Sequence, residues 1–260
     1  MKKIYIIADM EGISGIVTQE QVKRGAPEYA EARHLLAGDV NAAIAGAFDA
    51  GCTEVVVNDA HASGFNFPMA EMDPRAEYVT GGPRLIRLLG LDETFDAVVL
   101  VGYHARAGTP QAVMDHTMSS ANWSRLTVNG LEIGEIGMEA IYAGHFGVPV
   151  VFVSGDRATV DEARAFLGAA VEVVRVKDGH TRTSARCIHP VRAHELIRAG
   201  VARAASRQPG EFSPYVAEIP LQVTLETLST AFADSLEKAG WERAGGRTVT
   251  RTISSALDLM

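Results

Sequence analysis

Three stretches of this chain are continuously apolar, and each ends abruptly in ionisable side chains. Ile4-Tyr5-Ile6-Ile7-Ala8 runs into Asp9 and Glu11, Val55-Val56-Val57-Asn58 into Asp59 and His61, and Val98-Val99-Leu100-Val101-Gly102-Tyr103 into His104. An unbroken apolar run of this kind marks a strand buried on both faces, which requires a parallel sheet covered by helices. In such open α/β sheets the ligand crevice lies outside the carboxyl ends of the strands, so side chains distant in sequence meet there. The donor set is oxygen and nitrogen without sulfur, which suits a divalent ion such as Zn2+ or Mn2+.

Helical periods fill the gaps between these runs. Residues 28–50 repeat apolar side chains at Ala32, Leu35, Leu36, Val40, Ala43, Ile44, Ala47 and Phe48, the 3.6-residue period of a helix lying on a sheet. Residues 83–89 read as a short helix with proline near its start, 149–154 as a fourth strand, 159–167 as a helix and 171–176 as a further strand. Repeated βα units predict an α/β fold with a doubly wound, mostly parallel sheet. Residues 125–128 and 131–133 flank Asn129-Gly130, a type I′ hairpin signal, and 134–146 follow as a helix. After Ala185 the pattern changes. Residues 190–206 predict a long helix, and 218–225 and 247–253 predict antiparallel strands around a helix near 231–238. The expected organisation is a metal-binding α/β catalytic domain over residues 1–185 and a smaller C-terminal α+β appendage over 186–260, its boundary placed to within about ten residues.

Composition narrows the function classes. The 260 residues are 47% apolar, enough for a normal core, and carry a net charge of −8. That balance excludes nucleic acid as a partner, because affinity for phosphate backbones comes from clustered Lys and Arg. Cys52 and Cys187 are the only cysteines and lie in no motif, as in a reduced, cytoplasmic protein. Asp9 and Glu11 interrupt the apolar start too early for a signal-peptide core, and no apolar stretch reaches membrane-spanning length. The expected location is the cytoplasm, away from any membrane.

The candidate residues differ in how much ordinary structure explains them. Asp9 alone reads equally well as a helix or turn cap. With Glu11 two positions on, the pair forms two carboxylates that repel unless a cation lies between them. Asp59 fits turn chemistry after Asn58 and is a candidate for orienting an imidazole. His61 repeats the strand-end placement of His104, which a lone core histidine would not. Gly102, before His104, would let backbone approach a ligand closely, and Arg106 would either bind a substrate carboxylate or stay solvated. His116 lies in a long segment, 105–122, without periodicity, and is suited to proton transfer or nucleophilic attack beside a metal site. Glu135 opens a helix, where a carboxylate also complements the dipole, and Glu139 is a weaker candidate one turn on. Gly12 and Gly15 match no phosphate-binding loop.

Five segments occur in order: Asp9-Met10-Glu11-Gly12-Ile13-Ser14-Gly15, Asn58-Asp59-Ala60-His61, Gly102-Tyr103-His104-Ala105, Met114-Asp115-His116-Thr117-Met118 and Gly134-Glu135-Ile136-Gly137. Together they resemble the M55 family of metallopeptidases, a match carried by the first two-thirds of the chain. The resemblance implies a binuclear zinc site with Asp9 bridging both ions, Glu11 and His104 completing one, and His61 and Glu135 the other. It implies His116 as the catalytic residue, described in the family as the nucleophile. The implied substrates are short peptides with an N-terminal D-amino acid, of the D-Ala-D-Ala type. The implied assembly is a cytoplasmic homodecamer of two stacked pentameric rings. Two other readings compete: a binuclear phosphoesterase, since paired metals serve that chemistry too, and a non-catalytic, metal-dependent ring assembly.

Overall fold

The computed structural model describes residues 1–259. In chain order its strands are β1 (Lys3–Ala8), β2 (Glu54–Asp59), β3 (Glu77–Val79), β4 (Ala97–Tyr103), β5 (Trp123–Val128), β6 (Leu131–Ile133), β7 (Val150–Asp156), β8 (Glu172–Thr181), β9 (Ser184–Cys187), β10 (Leu221–Thr227), β11 (Glu242–Arg243) and β12 (Thr248–Ile253). Its helices are α1 (Gln19–Val22), α2 (Pro27–Asp49), α3 (Glu135–His145), α4 (Arg157–Leu167), α5 (Pro190–Ser206) and α6 (Thr230–Lys238).

The main sheet has seven strands in the order β3-β2-β1-β4-β7-β8-β9, parallel except for β9. The chain builds outward from β1 to β3, then returns to the other side of β1 at β4. The order therefore reverses between β1 and β4, and their carboxyl ends flank the switch point where α/β sheets bind ligands. The fully buried pattern of β1 and β4 follows from helices on both faces. Ile4, Ile6, Val99 and Val101 pack with Leu36, Val40 and Ile44 of α2 and with Ile197 and Val201 of α5. Tyr5, Ile7, Val98 and Leu100 face the other way, against Ile136, Ala140 and Ala143 of α3 and Ala163 of α4. This two-sided burial is the doubly wound arrangement expected from the apolar runs.

A second, antiparallel sheet has the order β11-β12-β10-β5-β6. The β5–β6 turn is made by Asn129 and Gly130 at φ 50° and 80°, the left-handed pair that a type I′ hairpin needs. This hairpin pairs with β10, and α5 covers the main sheet, so chain from both sides of residue 185 enters each layer. Met138 and Ile141 of α3 pack on the second sheet, while its Ile136 face packs on the first. Helix α3 is thus the shared wall between the layers, and its first residue is Glu135.

Residues 83–89 form no helix, contrary to the sequence expectation. Arg84 fixes this segment through side-chain bonds to Asn58 Oδ1 (2.6 Å), the Asp59 carbonyl (2.9 Å) and the Gly81 carbonyl (2.6 Å). Its shape is set by these links to the end of β2, not by an internal hydrogen-bond ladder. Helix α1 and strands β3, β9 and β11 had no readable sequence period, being short. Among the described residues no helix is long and apolar enough to cross a membrane.

Candidate metal centre

The carboxyl ends of β1 and β4 approach closely because two glycines permit it. The Asp9 amide donates to the Val101 carbonyl (2.9 Å), and the Gly12 amide to the Gly102 carbonyl (2.8 Å). A Cβ on Gly12 would lie 1.8 Å from the Tyr103 carbonyl oxygen. Gly102 has φ +72°, and a Cβ there would lie 2.4 Å from the Asp9 carbonyl oxygen. Gly102 therefore admits the neighbouring loop and not, as the sequence suggested, a ligand. The loop is held from below by Asp39 of α2, which accepts from the Ser14 amide (2.8 Å) and hydroxyl (2.7 Å).

Asp9, Glu11, His61, His104, His116 and Glu135 converge. His61 Nδ1 lies 3.0 Å from Asp9 Oδ1 and 3.2 Å from Glu11 Oε2. His104 Nε2 lies 3.4 Å from Asp9 Oδ2 and 3.3 Å from Glu135 Oε1. Asp9 thus faces both imidazoles, one with each oxygen. The nearest neighbours pair His61 with Glu11 and His104 with Glu135, whereas the family resemblance divides them the other way. His116 stacks on His104 with ring centroids 4.0 Å apart and planes 13° from parallel, and its Nε2 is 3.7 Å from Glu135 Oε1. The donor atoms of Asp9, Glu11 and His61 form one compact group, and those of His104, His116 and Glu135 another.

The outer ring nitrogens fix which atoms face the centre. His61 Nε2 donates to the Val22 carbonyl (2.9 Å), His104 Nδ1 to the Ala105 carbonyl (3.1 Å) and His116 Nδ1 to the Met114 carbonyl (2.8 Å). Each opposite nitrogen points inward, where loss of its proton would present a lone pair to a cation, the arrangement that orients imidazole ligands. Glu11 Oε2 and His104 Nε2 are buried with no aligned hydrogen-bond partner, a costly state for polar atoms unless a cation completes them. An N/O donor set with orphaned buried atoms fits divalent metal well.

Electrostatics agree. Burial alone raises the Asp9 carboxyl, but the close imidazoles of His104 and His61 outweigh it and hold Asp9 well below the usual range. Burial disfavours protonation of both imidazoles. The carboxylates Glu11 and Asp9 around His61, and Glu135 and Asp9 around His104, overcome it and hold both well above the usual histidine value. Glu135 is likewise opposed by burial but drawn down to about 2, chiefly by His104. A cation binding here displaces the imidazole protons, so its affinity rises with pH.

Other expected residues do structural work. Both Asp59 oxygens accept from Asn66, whose Nδ2 also donates to the His61 carbonyl (2.8 Å), so Asp59 anchors the His61 loop and not the ring. Glu139 is fully buried against Arg87 (2.5 Å) and the Tyr103 hydroxyl (3.3 Å). Arg106 pairs with Glu132 (3.1 Å), and its amide donates to Glu162.

Two cations escaped the sequence reading. Lys177 of β8 is fully buried, and its Nζ donates to the carbonyls of Glu11 (2.6 Å), Ile13 (2.8 Å) and Ile16. Burial lowers its pKa to about 8. Arg87 lies 3.7 Å from Glu135 Oε2 and ties that carboxylate to Glu139. No sequence pattern marked either cation, since a lysine in a strand reads first as a solvated edge.

Comparison with known proteins follows this geometry closely. The profile of the Peptidase M55 family, described as D-aminopeptidase, matches residues 1–260. A D-aminopeptidase of Bacillus subtilis (strain 168) is 36% identical over 196 residues, covering 75% of this chain and 70% of that protein. A solved structure titled "Zn-dependent D-aminopeptidase DppA from Bacillus subtilis, a self-compartmentalizing protease" superposes with a TM-score of 0.94 at 31% identity, covering 98% of this chain and 93% of that one.

Proposed function

The chain belongs to the M55 family of D-aminopeptidases, and from that premise we propose that it is a binuclear zinc aminopeptidase releasing N-terminal D-amino acids from short peptides of the D-Ala-D-Ala type. The observation that carries the two-ion reading is Asp9, whose two oxygens each face a different imidazole cluster. Asp9, Glu11, His61, His104 and Glu135 would hold the ions, Asp9 bridging them. When bound, zinc polarises the scissile carbonyl and makes water acidic enough to attack at neutral pH. Three carboxylates among these residues offset most of the charge of two divalent ions, which leaves the centre cationic.

His116 is the catalytic residue in this reading. Its Nδ1–H is committed to the Met114 carbonyl, so Nε2 presents a lone pair to the site, placed to accept a proton or to attack. Stacking on His104 fixes the ring plane. The Met118 amide donates to Glu135 Oε1 (2.8 Å), which ties the segment after His116 to the start of α3. The compact grouping of half-buried His116 with buried His104 and Glu135 favours one second reading, His116 as a metal ligand.

The self-compartmentalizing neighbour supports a closed oligomer, and the family resemblance extends this to the proposed cytoplasmic homodecamer of two stacked pentameric rings. The activity is tested by incubating zinc-loaded and chelated protein with D-Ala-D-Ala, L-Ala-L-Ala and p-nitrophenyl phosphate. Zinc-dependent cleavage of the D,D-dipeptide is expected. Cleavage of the phosphate ester alone would replace the peptidase reading with the phosphoesterase one.

A further inference from the structure

Above the metal centre lies a cavity of about 450 Å3 whose floor includes Glu11 and His116 and whose mouth carries Lys23, Arg24 and Arg182. Its size is at the small end of ligand pockets, which run from about 300 to 1,000 Å3. We infer that this basic mouth is a binding site for the free α-carboxylate of a short peptide, and so restricts the enzyme to substrates whose C-terminus reaches it. The inference rests on the aminopeptidase reading above and names the chemistry at the far end of the same substrate.

Three cations gather at one opening in a chain of net charge −8. Lys23 and Arg24 are exposed, and neither forms an ion pair among the described residues, although most other arginines do. Arg24 is steadied over the Phe65 ring at 5.7 Å. Arg182 is built in more firmly. Its Nη1 donates to the Asp115 carbonyl and to Asp115 Oδ1 (2.5 Å), and its own carbonyl accepts from the Met114 amide (2.9 Å). Arg182 lines the cavity, and only its Nη1 is engaged by Asp115, which leaves its other guanidinium N–H groups free to donate. Arg182 thus sits against the residue that precedes His116.

The geometry of the reaction sets the reach. An aminopeptidase holds the N-terminal residue and its scissile carbonyl at the metals, so the remainder of the peptide points towards the mouth. Each extended residue adds about 3.3–3.6 Å. A dipeptide or tripeptide therefore keeps its carboxylate within one or two residue lengths of the scissile carbonyl, on the scale of this cavity, whereas a long peptide carries it well beyond. A carboxylate meeting two or three cations in a partly enclosed mouth gains charge-assisted hydrogen bonds, and an amide of the same shape does not. The only acidic side chain lining this cavity, Glu11, lies in the metal cluster; Asp115 beside the mouth is paired with Arg182, which leaves Lys23 and Arg24 as the uncompensated cations.

The experiment compares D-Ala-D-Ala with D-Ala-D-alaninamide on the zinc-loaded protein, in wild type and in a Lys23→Gln/Arg24→Gln double variant. The wild type is expected to favour the free acid in kcat/KM by about tenfold, the size of one charge-assisted contact. In the double variant this ratio should fall towards one, mainly through a higher KM for the acid, as loss of uniform binding requires. Calorimetry of both ligands on a His116→Ala background reads the same preference without turnover. Equal use of acid and amide by the wild type would sink the inference and leave the aminopeptidase reading standing. So would a preference that survives when Arg182→Gln is added to the double variant, since the metals alone would then attract the carboxylate. Cleavage of neither dipeptide would remove the aminopeptidase reading, and this inference with it.

Discussion

His116 has one nitrogen occupied by the Met114 carbonyl and the other 3.7 Å from Glu135, so its replacement separates two chemistries. If His116 is catalytic, His116→Ala keeps its zinc while turnover falls by about a hundred- to ten-thousand-fold, the usual loss of an acid/base group. If it is a ligand, zinc content and activity fall together. Zinc stoichiometry and dipeptide turnover measured on one preparation decide, and near-normal turnover would take His116 out of the mechanism. Most of the site was legible at this scale. Asp9, Glu11, His61 and His104 each follow an apolar run, and burial of such a run leaves little reason for an ionisable group at its end except a ligand. Asp59 satisfied the same rule and does another task, because strand-end position says nothing of which way a carboxylate turns. Lys177 and Arg87 carried no mark at all: a buried cation is recognisable only by the carbonyls and carboxylates that surround it, and those come from elsewhere in the chain.

At the scale of elements, the metal loop depends on how closely β1 and β4 finish. Gly12→Ala places a methyl into the Tyr103 carbonyl, and backbone cannot yield as a flexible side chain can. The expected result is a loss of about 1–3 kcal/mol of stability together with loss of bound zinc, because Glu11 adjoins the point of close approach and Asp9 lies three residues before it. Denaturant unfolding and metal analysis check both, and a variant with full zinc content would show that the approach of the strands is not needed. The long elements were readable because period and burial agree over many residues, as in α2 and α5. Residues 83–89 misled because proline and apolar spacing imitate a helix, while the real geometry comes from Arg84 reaching back to β2. Strand β3, three residues long, exists only because β2 is beside it.

For the whole molecule, assembly is the main consequence of its surface. Leu85 is fully exposed, and Phe65, Ile86 and Leu89 are each about half exposed, near the edge of the metal-bearing face; scattered apolar residues are ordinary, but several on adjoining loops favour a contact. Light scattering under native conditions is expected to give a particle much larger than a dimer, and a clean monomer would refute the ring. The contact between Lys177 and the Glu11–Ile16 loop reaches from β8 past β7 and β4 to the end of β1, and it bears on the order in which the protein is made. All six residues of the centre have been synthesised once Glu135 has emerged. The lysine that ties down their loop comes later, on a strand that must first pair with β7. A growing chain therefore carries every candidate site residue before the lysine that ties down their loop, and the site is expected to settle only when β8 joins the sheet, after translation has passed the last of the proposed chemistry.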